Sequence, residues 1–216
     1  MKNKTDKRLN AVEPLEYVRG FTQFLGCKID LSKRPLIPRP ETEFWVKKAI
    51  NYIKSNNHNH SRSRTIVILD IFSGSGCIGL AILKHIKNAE VFFADIEDRG
   101  VGHKTIKSDV FSNIKNKFDF IFANPPYIPT KNKSLVQKSV LDFEPHKALF
   151  AKQDGLFYIR KFLKQAKNHL NYNGIIFMEF DFPQKEEIKK MSEKFGYKTC
   201  KFYKDQYGKY RWVVIK

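Results

Sequence analysis

Cysteine is scarce in this chain, and the three present, Cys27, Cys77 and Cys200, stand far apart with no C-x-x-C spacing. That pattern excludes the usual zinc sites and any disulfide framework, and a reducing cytoplasm is the expected compartment. Long apolar runs are missing too. The longest are strand-sized, and the opening M-K-N-K-T-D-K-R-L-N lacks the apolar core of a signal peptide, so neither secretion nor a membrane span is expected. Acidic residues are the third shortage. Only 22 Asp and Glu stand against 40 Lys and Arg, a formal charge of +18 at pH 7. Such an excess attracts phosphate by counterion release, which keeps nucleic acid and acidic proteins among the partners to consider. Lysine spread over solvated faces accounts for part of it, so charge alone selects no partner. His58 and His60, in the polar stretch S-N-N-H-N-H-S-R-S-R, read as solvated loop residues rather than metal ligands.

What remains is ample for one catalytic domain: 216 residues, 42% of them hydrophobic. Residues 13–36 have turn residues and short apolar pieces, which predicts a hairpin-like lead-in, and Pro40 opens a helical stretch to Ile53. Strands and helices then alternate. Strands are expected at 65–70, 91–95, 104–108, 118–123 and 175–180, and helices near 78–86, 156–170 and 184–195. This order predicts an α/β, doubly wound, mostly parallel sheet with helices on both faces. The last two strands, 197–203 and 210–215, are joined by a connection too short for a parallel crossover and should form an antiparallel hairpin.

Asn124-Pro125-Pro126-Tyr127 directly follows the apolar strand 118–123. An amide or exocyclic amine nitrogen is a poor nucleophile because its lone pair is delocalised, so its NH2 group must be held in place. The Asn124 side-chain oxygen and the Pro125 carbonyl can accept its two hydrogens, the Pro125-Pro126 backbone fixing both acceptors, while Tyr127 lies against the flat face of the acceptor group. Taken alone, the tetrad is also an ordinary proline-rich turn. A second motif, Phe72-Ser73-Gly74-Ser75-Gly76, follows the strand ending in Asp70 and precedes a helix. Glycines there let backbone approach a ligand, although a lone G-x-G also occurs in plain tight turns. Asp95 ends the next strand, where a carboxylate can accept both ribose hydroxyls of a nucleoside cofactor. By itself it also suits a helix cap or loop.

Together these motifs resemble the HemK/PrmC family of peptide chain release factor N5-glutamine methyltransferases. The resemblance runs from Glu13 to the C-terminus. It includes E-P-L-E-Y at 13–17, Phe24-x-Gly26, L-I-P-R-P-E-T-E at 36–43, E-P-H-K-A-L-F at 144–150, D-G-L at 154–156, and Lys204-Asp205, Gly208 and Arg211. It implies a seven-stranded class I methyltransferase fold using S-adenosyl-L-methionine, and a release factor whose G-G-Q glutamine accepts the methyl group on its side-chain amide. Carried over by motif, Phe72, Ser73, Gly74, Ser75, Gly76, Asp95, Val110 and Asn124 are expected to hold the cofactor, and Asn124, Pro125, Pro126 and Tyr127 to hold the acceptor. The displacement is direct and needs no dedicated base, because the nitrogen becomes acidic as it is alkylated. Glu41, Glu43 and Glu144 are therefore read as capping or structural carboxylates, Arg39 as a loop-fixing residue, and His146 as a structural hydrogen bonder. Adenine-N6 methylation of DNA or RNA, and a degenerate methyltransferase fold that binds RNA, are the alternative functions.

Three departures from the family pattern stand out. Phe72 occupies a position where the family has glycine. Only Ile96 to His103 connect Asp95 to the next strand where the family places a helix, enough for about 26 Å of extended chain against about 17 Å of strand, so an uncoiled crossover just reaches. Finally, residues 1–38 read as a lead-in remnant of the family's helical substrate-docking domain, with 39–216 as the catalytic domain. Docking is then expected to rely on the catalytic domain, on the basic surface near ribosomal RNA, or on a helper subunit.

Overall fold

The computed structural model describes residues 13–56, 64–100 and 102–216; His58 and His60 lie outside the described residues. Its centre is set by β3 (Ile66–Ile71), an almost unbroken apolar run. Such a run suits a strand covered on both faces rather than one that alternates. It pairs in parallel with β4 (Ala89–Asp95) on one side and β6 (Phe118–Ala123) on the other, Ile68 facing Val91 and Phe120.

The sheet has seven strands. Beyond β4 lies β5 (Thr105–Lys107), and beyond β6 come β9 (Leu170–Glu179), β11 (Tyr210–Ile215) and β10 (Cys200–Lys204). β11 runs antiparallel to both neighbours, which is the expected terminal hairpin. Helices α2 (Pro40–Asn56) and α3 (Cys77–His85) pack on one face, and α6 (Phe157–Ala166) and α7 (Lys185–Lys194) on the other, each face with its own buried cluster. The chain leaves β3 for β4 and β5 on one side, then returns to β6 on the other. That reversal puts a crevice at the carboxyl ends of β3 and β6.

The lead-in comprises α1 (Leu15–Arg19) and an antiparallel hairpin of β1 (Phe21–Phe24) and β2 (Cys27–Asp30). Leu25 and Gly26 at its turn both have positive φ, 46° and 76°, as a tight two-residue hairpin requires. Its apolar side joins the α2 and α3 cluster through Tyr17, Phe24, Ile29 and Leu31. Glu43 accepts from Leu25 N–H at 2.6 Å, tying the hairpin turn to α2.

The connection from β4 to β5 holds no helix among its described residues, so the crossover is uncoiled. Between β6 and α6 lie elements with no sequence signal: β7 (Ile128–Pro129), α4 (Lys138–Phe143), α5 (His146–Leu149) and β8 (Phe150–Ala151), β7 pairing in parallel with β8. Among the described residues no helix is long and apolar enough to cross a membrane.

Asp70, the penultimate residue of β3, is fully buried and accepts from Gly79 N–H at 2.9 Å, capping the first turn of α3. Its other oxygen has no partner, and burial pushes the carboxyl well above the ordinary range. The unfolded chain ionises this group near pH ~4 while the folded chain keeps its proton to higher pH, so stability falls as pH rises through that interval. Asp70→Asn has no proton to release. Urea unfolding between pH 4 and 8 should therefore show a shallower decline for the variant than for the wild type; parallel declines would refute the assignment.

Candidate active site

The crevice at the switch point is an open cavity of about 1040 Å³, a volume that includes the solvent at its mouth. The turn after β3 forms its floor. Phe72, Gly74 and Gly76 have φ of 60°, 51° and 77°, so the backbone winds through left-handed conformations there. Ser73 N–H donates to Ala94 O at 3.1 Å, and Gly76 N–H to Ser73 O at 2.7 Å, which closes the turn against the end of β4. Asp95 accepts from Gly74 N–H at 2.9 Å and from Glu97 N–H at 3.1 Å. Burial raises its carboxyl while these backbone donors pull it back down.

Of the residues expected to hold a cofactor, Phe72, Ser73, Gly74, Ser75, Asp95, Val110 and Asn124 line the cavity, and Gly76 does not. Of the tetrad, Asn124 and Pro126 line it; Pro125, which joins them, and Tyr127 are not lining residues. The Tyr127 hydroxyl donates to Glu179 Oε1 at 2.9 Å, and its carbonyl accepts from Gln184 Nε2 at 2.8 Å. Gly155, φ 84°, approaches that carbonyl so closely that a Cβ would collide with it, which ties the D-G-L string to the tetrad. Phe72 turns its ring edge-on to Tyr158 and Phe162 of α6, centroids 6.2 Å away in each case.

No family model matches the chain. Full-length comparison is decisive. The release factor glutamine methyltransferase of Flavobacterium psychrophilum is 32% identical over 223 residues, covering 96% of this chain and 77% of that protein. The enzyme of the same name from Lactococcus lactis subsp. lactis is 34% identical over 226 residues, covering 99% and 81%. The chain belongs to the release factor glutamine methyltransferase family. A crystal structure of the protein-(glutamine-N5) methyltransferase (release factor-specific) of Alicyclobacillus acidocaldarius, 22% identical, has the same fold, with a TM-score of 0.52 over 83% of this chain and 93% of that one.

This release factor glutamine methyltransferase family member walls its cavity with the segments that the specific strings encode. Glu144, buried, accepts from Arg39 at 2.7 Å and from Ile37 N–H at 3.1 Å, clasping the P-R-P-E-T-E segment to the E-P-H-K-A-L-F segment. Exposed His146 is bonded to Leu141 O at 2.8 Å. The uncoiled crossover is held from the same side. Glu97 pairs with Lys147 at 2.6 Å and Arg99 at 2.7 Å, which keep its carboxyl below the ordinary range. Arg99 also donates to Arg34 O at 2.9 Å, and Lys33 to Gly100 O at 2.9 Å. Ile96, Glu97, Arg99, Pro145 and Lys147 thus close the side where a helix is missing.

The sequence reading missed Thr42, Trp45 and Glu179. Thr42 Oγ1 and Trp45 Nε1 both donate to Glu179 Oε2 at 2.7 Å, and Asn124 Nδ2 donates to Thr42 Oγ1 at 3.4 Å. Only the acidic end of an apolar strand, F-M-E-F, hinted at Glu179.

Glu144 has both oxygens engaged, which suits a clasp and not a base. Glu144→Gln keeps an acceptor but loses the charge on the Arg39 contact, so it should lower stability by about 1–2 kcal/mol and leave kcat for methyl transfer within ~3-fold. A general base would lose ~100-fold or more, and steady-state kinetics on the folded variant decides between them.

Proposed function

We infer that this chain transfers a methyl group from S-adenosyl-L-methionine to the side-chain amide nitrogen of a release factor glutamine, that of the G-G-Q motif. The observation that carries this is that Asn124 and Pro126 share one cavity with Gly74 and Asp95, so an acceptor NH2 and a nucleoside cofactor meet at the ends of β3 and β6. The cavity residues fit that cofactor. Among the described residues the buried Ser73 Oγ has no hydrogen-bond partner, and it belongs to the lining, a hydroxyl free to meet a polar ligand atom. Asp95 has given one acceptor site on each oxygen to backbone N–H, and a carboxylate has about four, so sites remain for two ribose hydroxyls. Apolar Val110 offers its buried side chain to the base, and Phe72 to Ser75 of the turn take the amino-acid end.

When bound, S-adenosyl-L-methionine supplies an electrophilic methyl group on a sulfonium. The chain supplies orientation. Asn124 Oδ1 and the Pro125 carbonyl accept the two amide hydrogens and aim the nitrogen, converting an encounter into a near-attack arrangement. Water is excluded by the apolar lining, Leu36, Ile37, Pro38, Ile78 and Ala148. No side chain must take the proton in advance, since the alkylated nitrogen releases it late.

In this reading residues 39–216 form the catalytic domain and residues 1–38 a lead-in to it. The release factor docks on the catalytic domain itself, through a surface whose net charge of +18 also favours work near ribosomal RNA. A helper subunit is the alternative source of docking surface, and efficient methylation by the purified chain alone would remove that alternative.

The test is transfer of labelled methyl from S-adenosyl-L-methionine to purified release factor, to the factor with its G-G-Q glutamine changed to alanine, and to bulk RNA and DNA. Label confined to the wild-type factor is expected, and label on nucleic acid would replace this function by adenine methylation. Asn124→Ala should lower kcat by ~100-fold or more with cofactor affinity within ~3-fold by calorimetry. Asp95→Ala should weaken the cofactor by ~10-fold or more. Equal loss of both properties in Asn124→Ala, or unchanged affinity in Asp95→Ala, counts against the roles given.

A further inference from the structure

A side-chain amide has two ends of similar shape and opposite hydrogen-bonding sense. Only the oxygen of Asn124 can hold the hydrogens of an acceptor NH2; turned over, the same side chain would present its own NH2 and repel it. Something must choose between the two orientations.

We propose that Thr42 and Glu179 are positioning residues that lock the Asn124 amide with its oxygen toward the cavity. This deepens the function inferred above and rests on it. The argument is one of proton counting. The Trp45 indole N–H can only donate, and it donates to Glu179 Oε2 at 2.7 Å, so that oxygen is committed to accepting. Thr42 Oγ1 lies 2.7 Å from the same oxygen and must therefore spend its single proton on it. With that proton gone, Thr42 Oγ1 can only accept. Its neighbour at 3.4 Å is the Asn124 amide, which must then turn its NH2 to Thr42, leaving Oδ1 for the acceptor. Thr42, Trp45 and Glu179 are 2%, 0% and 1% exposed, so water cannot readily supply a competing donor or acceptor.

The relay holds whatever charge Glu179 bears. A proton taken up by Glu179 must go to Oε1, because Oε2 is already occupied by two donors; there it would meet Tyr127, whose hydroxyl can accept as well as donate. Glu179 therefore acts through the direction of its hydrogen bonds and not as a proton acceptor for the reaction.

Two pairs of variants separate this from a packing role. Thr42→Val keeps the shape and removes the hydroxyl, whereas Thr42→Ser keeps the hydroxyl and removes a methyl group. The relay predicts that kcat falls ~100-fold in Thr42→Val, with cofactor affinity unchanged, and is rescued to within ~5-fold of the wild type in Thr42→Ser. Packing predicts the reverse order. Glu179→Gln can place its oxygen against Trp45 and Thr42, so it should stay within ~10-fold, while Glu179→Leu should match Thr42→Val or worse. A second readout does not depend on turnover: in labelled wild-type protein a nuclear Overhauser effect should join an Asn124 side-chain NH2 proton to the Thr42 methyl group, and it should weaken in Thr42→Val. Thr42→Val at half the wild-type kcat or more, Thr42→Ser as impaired as Thr42→Val, a ~100-fold loss in Glu179→Gln, or no such effect in the wild type would each overturn the relay. If the wild type transfers no methyl to the release factor, the inferred function falls, and the magnetic resonance result still decides the orientation of Asn124.

Discussion

Glu179 is a carboxylate removed from water, and the expense of removing it organises the site. An isolated buried carboxylate is strongly unfavourable, and burial indeed raises this one above its ordinary range. What makes it tolerable is convergence: Thr42 and Trp45 reach it from α2, Tyr127 from the tetrad, and it is itself the last residue of β9. The donors fix two separate segments, α2 and the tetrad, at one point. Helix α2 cannot slide along the sheet without losing Thr42 and Trp45 together, and the tetrad cannot swing away without losing Tyr127. Trp45 adds rigidity by stacking 6.0 Å from Phe122 and 6.3 Å from Trp212, so the polar cluster sits on an aromatic floor. With α2 anchored there, its N-terminus brings Arg39 to the cavity wall and Glu43 to the lead-in hairpin.

The shortened crossover shows a second constraint, the need to close a cavity after losing a wall. A parallel pair normally needs a dozen or more linking residues, most often a helix, and among the described residues none covers the link from β4 to β5. Charge replaces bulk. Lys147 pairs with Glu97 and bridges the crossover to the E-P-H-K-A-L-F segment, while Arg99, paired with Glu97 within the crossover, and Lys33 bridge it to the lead-in through the Arg34 and Gly100 carbonyls. Exposed pairs of this kind contribute only ~0–1 kcal/mol each. Their value is in geometry more than in stability, since they hold the rim of the cavity where packing alone would leave it open.

Much of this was legible in the sequence, for physical reasons that also mark where legibility stopped. The expected strand at 118–123 matches β6, and 66–71 differs from expectation by one residue at each end, because continuous apolar runs with β-branched and aromatic residues have few other uses. β9 begins earlier than expected, at Leu170, because Tyr172 and Asn173 are exposed and polar at the edge of the core and carry no periodic signal. α4 and α5, of 6 and 4 residues, are too short to display a helical period. At the site, cavity-lining residues that belong to local motifs were readable: Phe72 to Ser75, Asp95, Asn124 and Pro126. Thr42 and Glu179 were not, because their contact spans 137 positions and each alone is an unremarkable helix or strand residue. Tyr127 was read as a face for the acceptor, whereas its hydroxyl is drawn to Glu179, a partner invisible without the fold.

Phe72 illustrates how a local departure is absorbed. Its φ of 60° belongs to the left-handed region, unfavourable by ~1–2 kcal/mol for a residue with a side chain. Val110, across the cavity, is in the same state at 56° and is β-branched besides. Neither would persist unless its surroundings imposed the conformation. For Phe72 the ring is wedged against Tyr158 and Phe162, and aromatic contacts of this kind contribute ~0.5–1.5 kcal/mol each, enough to offset the backbone. For Val110 the carbonyl is held by Ser108 Oγ at 2.7 Å. A glycine in the turn would adopt the same path by its own freedom. With phenylalanine the turn is instead packed against α6, whose Tyr158 also lines the cavity, so ring contact with Tyr158 and Phe162 takes the place of glycine's conformational freedom in holding the floor.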